Sequence, residues 1–223
     1  MSDPMPTAYQ FKPLPNNQPD AIRLLYLFPP GENDGDSGGV DGPEDHAIFG
    51  SIRTVPLGSV DFQALSYVWG GTDQRTRRIS LRGENDEYQG ELGITEALYV
   101  ALNDIRPILR STGTRVVWVD GVCINQQDLA ERAQQVSLMG NIYRTARQVI
   151  TYIGGDWDNS RAAIELVAGL YDHAMSDFGE AYQCTSEDLV KAGFPPPTDP
   201  SWQDLHSLFQ RTWVSSDHQP CVP

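Results

Sequence analysis

The sequence predicts an α/β domain with a mainly parallel central sheet and an N-terminal strand or hairpin added to it. Three observations carry that prediction. Short β-branched and aromatic runs at 64–70, 116–120 and 148–153 read as buried strands. Apolar residues at steps of three and four follow each of them, opening near Ile94, Leu129 and Ser160. Strand and helix therefore alternate from 64 to 174, the order that builds a parallel sheet through helical crossovers.

Each element has its own signal. Residues 22–28 (I-R-L-L-Y-L-F) are a short apolar run stopped by Pro29 and Pro30, a first strand. Residues 29–45 hold six acids, five glycines and three prolines. So little apolar surface cannot order a backbone, and the segment reads as a mobile acidic loop. Residues 51–57 alternate like an edge strand and end at Pro56. A-L-S-Y-V-W-G at 64–70 is a core strand closed by Gly70 and Gly71, and R-I-S-L-R at 78–82 is a fourth, running into turn residues 83–86. Ile94, Leu98, Ala101, Leu102, Ile105 and Leu109 share one helical stripe. Pro107 should end or kink that helix near Arg106. V-V-W-V-D at 116–120 is a compact buried strand. The helix after it offers Leu129, Val136, Met139, Ile142, Tyr143 and Ala146 as its apolar face. Q-V-I-T-Y-I at 148–153 is a strand stopped by Gly154 and Gly155. Ser160 then caps a third helix, expected to turn Ile164, Val167, Ala168 and Tyr171 inward. Pro195 to Pro197 break the chain before a last short helix bearing Trp202, Leu205 and Leu208.

Charge narrows the function classes. The chain of 223 residues has a formal net charge of −14, but residues 46–155 carry eleven acids and eleven bases. The excess lies in the flanks, −6 over 1–45 and −8 over 156–223. The densest basic cluster, Arg75, Arg77, Arg78 and Arg82, reads as a solvated strand edge and not as a nucleic-acid stripe. No apolar run approaches the ~20 residues that cross a bilayer, and residues 1–19 lack the layout of a signal peptide. Three cysteines far apart and four scattered histidines give neither a disulfide framework nor a metal site. The expectation is a cytoplasmic protein with a disordered tail over 1–20.

In open α/β sheets, sites gather where strands end. Those ends are Trp69-Gly70, Asp120 to Gln126 and 154–158. Asp120 closes a buried strand and needs partners there. Asp128 and Glu131 have capping-box spacing, with Glu131 reaching back to the Asp128 amide. Arg132 could hold a carboxylate, Asp120 or a ligand's. Cys123 lies among apolar neighbours and reads as a small buried residue. Ser66 lacks the partners of a nucleophile, and Tyr67 and Trp69 could stack a flat ring, although core packing is their ordinary use.

Together, A-L-S-Y-V-W-G (64–70), the leucine-rich helix at 94–109, W-V-D-G-V-C-I-N-Q (118–126) and E-R-A-Q-Q-V-S-L-M-G-N-I-Y (131–143) resemble the heterokaryon incompatibility (HET) domain of filamentous fungi. The resemblance covers about 21–155 and implies a role in non-self recognition, where activation triggers growth arrest and cell death. Its motif residues are Ser66, Tyr67, Trp69, Gly70, Trp118, Cys123, Asn125, Gln126, Arg132 and Gln135. It further implies a TIR-like three-layer domain, self-association or another incompatibility protein as partner, and NAD as a possible substrate. Asp120, Glu131 and Glu165 are then candidate catalytic carboxylates, since cleavage of the nicotinamide–ribose bond builds positive charge on the sugar. Trp69 would stack the leaving base. A non-enzymatic scaffold and an inactive, truncated copy are the alternatives. The family pattern usually continues beyond Arg211-Thr212-Trp213, so the helical part at 156–214 reads as incomplete and 215–223 as an atypical tail.

Overall fold

An arginine sits in the middle of the most apolar strand of the chain, and the sheet forms around that strand. The computed structural model describes residues 7–28, 48–69, 74–83, 85–111, 116–155, 160–176 and 185–211. The acidic segment at 29–45, Gly70 and the tail beyond Arg211 lie outside the described residues. By contacts, the chain divides into residues 1–152 and 153–223.

The first unit holds seven strands in one sheet: β1 (Ala21–Leu27), β2 (Ile48–Pro56), β3 (Gln63–Tyr67), β4 (Arg77–Arg82), β5 (Tyr88–Ile94), β6 (Val116–Trp118) and β7 (Gln148–Tyr152). Their order is β5-β4-β2-β1-β6-β3-β7. The α/β class is as expected, but the sheet is mixed and not mainly parallel. β2–β4, β3–β6 and β3–β7 pair in parallel, while β1–β2, β1–β6 and β4–β5 pair antiparallel. The reason lies in the N-terminal pair. Instead of being added outside a parallel core, β1 enters the centre of the sheet, with β2 on one side and β6 on the other. Its Ile22, Leu24 and Leu25 are fully buried, which accounts for the unbroken apolar run.

Strand β5 had no sequence signal. Y-Q-G-E-L-G-I contains two glycines and few strand formers, and it orders as the return strand of a hairpin from β4. Gly90 within it has φ +122°, and a Cβ there would stand 2.7 Å from the Thr7 carbonyl. Only glycine lets residues 7–9 lie along β5, where the Tyr9 and Glu91 amides each donate a 2.9 Å bond across the gap.

Helix α1 (Glu96–Ser111) starts after Thr95, whose hydroxyl accepts from the Leu98 amide at 3.2 Å. Leu98, Ala101, Leu102, Ile105 and Leu109 bury the expected stripe. The helix neither stops at Arg106 nor breaks before Pro107, which sits on its exposed side where the pyrrolidine ring meets solvent. A short α2 (Asp120–Cys123) follows β6, and α3 (Leu129–Thr145) follows that. The apolar face expected for α3 is only partly right. Leu129 is 69% exposed, and the buried positions are Glu131, Gln135 and Ile142. Polar side chains occupy that inner face because β1 gives them partners.

In the second unit, α4 (Ser160–Ser176) and α6 (Ser201–Phe209) enclose a small core of Ala163, Leu166, Leu205 and Leu208, with the short α5 (Ser186–Lys191) between them in sequence and without a buried residue. Trp202 packs on it, as α6's spacing required. Helix α4 is turned the other way from the expected one. Ala163 and Leu166 are inside, while Ile164, Val167, Tyr171 and Met175 are exposed. Among the described residues, no helix is long and apolar enough to cross a membrane.

Candidate functional site

The ends of β3 and β6 bring Tyr67, Trp69, Trp118 and Asp120 into one neighbourhood, as two adjacent parallel strands must. Asp120 is buried at the start of α2. Its Oδ2 accepts from the Trp69 indole N–H at 2.9 Å and its Oδ1 from the Gly121 amide at 2.7 Å. Its carbonyl takes the Gln126 side-chain amide at 2.9 Å. Trp69 lies nearly parallel to Tyr67, with ring centroids 6.4 Å apart. A Cβ on Gly121 would stand 2.7 Å from the Tyr67 hydroxyl, so residue 121 must be small for the phenol to reach this corner. Ser66 is half-buried in β3, opposite Thr151 of β7. Trp118 is fully buried and meets Tyr143 of α3 edge-on at 5.5 Å.

Glu131 does not close a capping box. Asp128 caps α3, accepting from the Ala130 and Glu131 amides at 3.0 and 3.1 Å. The Glu131 side chain turns inward instead. Its two oxygens take both ends of the Arg23 guanidinium, at 2.5 and 2.9 Å, and Oε1 also accepts from the Asn125 amide at 2.7 Å. The side chains of both partners are more than nine-tenths buried. Arg23 donates further to the carbonyls of Lys12 at 2.6 Å and Cys123 at 3.4 Å, and stacks over Phe11 at 4.9 Å. The neighbouring Gln135 amide donates to the Ala21 carbonyl at 2.9 Å. The first half of helix α3 is thus held to β1 through polar side chains (a fork-to-fork ion pair and an amide), while Ile142 and Tyr143 pack its second half on the core.

Arg132, the residue expected to hold a carboxylate, is half-exposed and makes no salt bridge among the described residues. The arginine that holds a buried carboxylate is Arg23, which sequence reasoning passed over as part of a strand. Its signal was present: one charged residue inside I-R-L-L-Y-L-F demands a buried partner. Glu165 is exposed on α4 in the second unit. Among the described residues, no group of three His, Cys, Asp or Glu side chains could hold a metal ion.

Cys123 is fully buried, and burial pushes its thiol up to about 12. An unfolded thiol gives up its proton near pH ~8.5, so the folded state binds the extra proton between there and about 12. Stability therefore falls as pH rises through that window. At pH 8 the Cys123 peptide should stay unlabelled by iodoacetamide in the folded protein and label fully in urea, as read by mass spectrometry. Equal labelling rates in both conditions would contradict the buried placement.

A family model described as "Heterokaryon incompatibility protein (HET)" matches residues 62–216. The chain is also 31% identical over 159 residues to heterokaryon incompatibility protein 6, OR allele, of Neurospora crassa. That alignment takes in 67% of this chain and 23% of the relative, so the chain spans about a quarter of the length of the curated protein it matches. No solved structure matches it. The matched segment includes Asp120, Glu131 and Glu165, and starts after the β1 strand that supplies Arg23. With its motifs in order and the family model covering well over half of it, the chain belongs to the heterokaryon incompatibility (HET) family.

Proposed function

We propose that this protein acts in fungal non-self incompatibility as a contact module, its signal passing by association with itself or another incompatibility protein toward growth arrest and cell death. The observation that carries this reading is the outer face of α4. Ile164, Val167, Tyr171 and Met175 recur at helical spacing and are between 36% and 62% exposed. An apolar stripe left in water on one helix is the usual mark of a protein-binding face. The carboxylates of the first unit favour the same reading. Asp120 and Glu131 accept hydrogen bonds at both oxygens from within the chain, which leaves them holding loops and helices in place. Light scattering over a concentration series should show wild-type mass rising with concentration. The double variant Ile164→Glu/Tyr171→Glu should stay monomeric with an unchanged circular dichroism spectrum. A wild-type protein that is monomeric at every concentration tested would overturn the contact reading for self-association.

A second reading rests on a different observation, the Tyr67–Trp69 pair beside Asp120 at the strand ends. A TIR-like ancestry would make this a place for NAD, with Trp69 against the leaving base and a carboxylate near the sugar. Concentrated protein incubated with NAD should then release nicotinamide, and Asp120→Asn should abolish the release while keeping the fold. Unchanged NAD alongside an active relative sinks this reading and leaves the first in place.

A further inference from the structure

Helix α4 carries more on its outward side than the apolar stripe. At about 100° per residue, Ala168 lies in the middle of the exposed face, opposite the buried Ala163 and Leu166. Ile164, Tyr171 and Met175 lie to one side of it, and Arg161, Glu165 and Asp172 to the other. All seven are exposed. The face is therefore two rows, one apolar and one charged, that meet at a small residue. Arg161, Glu165 and Asp172 make no salt bridge among the described residues.

The charged row has a direction. Arg161 opens it, and Asp172 closes it about 16 Å further along the axis and only about 20° around it. A cation near one end and an anion near the other make the row complementary to its own reverse.

We propose that this face binds α4 of a second copy of the chain, the two helices running antiparallel and crossing at Ala168. The proposal rests on the contact reading above and names the partner. A twofold axis across the helices sets apolar row against apolar row and charged row against charged row. Run antiparallel, the start of one charged row meets the end of the other, so Arg161 of each copy faces Asp172 of the other. A parallel pair would bring Arg161 level with Arg161 and Asp172 with Asp172, which charge opposes. Ile164 of each copy packs beside Tyr171 of the other, and the Ala168 methyl lets the axes approach to about 8 Å. The two Glu165 carboxylates lie furthest toward solvent, where water screens their repulsion. One helix face from each copy covers less than the ~1,000 Å² of a stable interface, so the pair is weak and responds to clustering.

Sedimentation of the full chain from micromolar to millimolar concentration tests this. Wild-type protein should dimerise within that range. Arg161→Glu and Asp172→Arg should each weaken the dimer several-fold, because both ion pairs become repulsions. An equimolar mixture of these two variants should regain the wild-type association, since each offers the charge the other lacks. In a chain carrying Cys184→Ser and Cys221→Ser, Ala168→Cys should form a disulfide dimer on mild oxidation. Arg161→Cys in the same background should not, because antiparallel helices hold the two copies of that position about 16 Å apart along the axis. A wild-type protein that stays monomeric overturns both this pairing and self-association as a whole. Dimers lost in Ile164→Glu/Tyr171→Glu but unchanged in both charge variants, or cross-linked through position 161, overturn the antiparallel pair alone and leave the contact reading in place.

Discussion

Glu131→Ala is expected to cost about 3–5 kcal/mol of folding stability, read as a lower urea midpoint with an unchanged slope. The size follows from what is left behind. Arg23 would keep its charge inside the sheet, 1% exposed, with the Lys12 and Cys123 carbonyls and the Phe11 face as its remaining partners among the described residues. The Asn125 amide would lose its acceptor as well. Glu131→Gln should fall in between, since it keeps the shape and one acceptor but not the charge. The double variant Arg23→Met/Glu131→Leu separates pairing from packing. Buried ion pairs replaced whole by apolar residues often lose little, so the double variant should recover much of the loss. It should not recover all of it, because the Asn125 amide stays unpaired, at about 1–3 kcal/mol. A cost below 1 kcal/mol for Glu131→Ala would mean that water reaches the pair and that α3 is held by something else.

The same pair shows what sequence reading could and could not reach. Local signals were sufficient for β1, β3, α1 and α6, because an apolar run or a helical stripe reports burial directly. They failed where burial depends on a partner far along the chain. Arg23 and Glu131 are 108 residues apart, and neither position announces the other. Glu131 had a plausible local use three residues from Asp128, and the capping box competed for it on spacing alone. The buried ion pair won because it satisfies a charge that β1 would otherwise bury alone. The sheet's mixed character has a similar origin. Alternating strands and helices after residue 64 do imply parallel pairing, and β3, β6 and β7 obey it. The position of β1 between β2 and β6 is a tertiary choice that its own seven residues do not encode. For α4 the period was right and the phase was wrong, since two interleaved stripes, Ala163 with Leu166 and Ile164 with Val167, fit the helix equally. The small residue went inside.

Trp118→Ala should be as damaging as the loss of Glu131, about 3–5 kcal/mol, and for a reason that a second substitution can isolate. Trp118 is 0% exposed at the end of a three-residue strand that lies between β1 and β3, so its indole packs where the two halves of the sheet meet. Its edge-on contact with Tyr143 also ties α3 to β6. Removing the ring opens a cavity in a close-packed core that the surrounding side chains cannot fill without strain. Yet the buried indole N–H finds no hydrogen-bond partner among the described residues, and that group is a cost the native protein carries. Trp118→Phe should therefore lose far less than ring size alone suggests, about 1 kcal/mol or under, because it gives up packing and the unpaired donor together. Denaturation of the three proteins gives the order wild type, Phe, Ala, with most of the gap between Phe and Ala. If Phe proved as costly as Ala, the indole nitrogen would have to be bonded in solution, and the corner beside Asp120 would hold water.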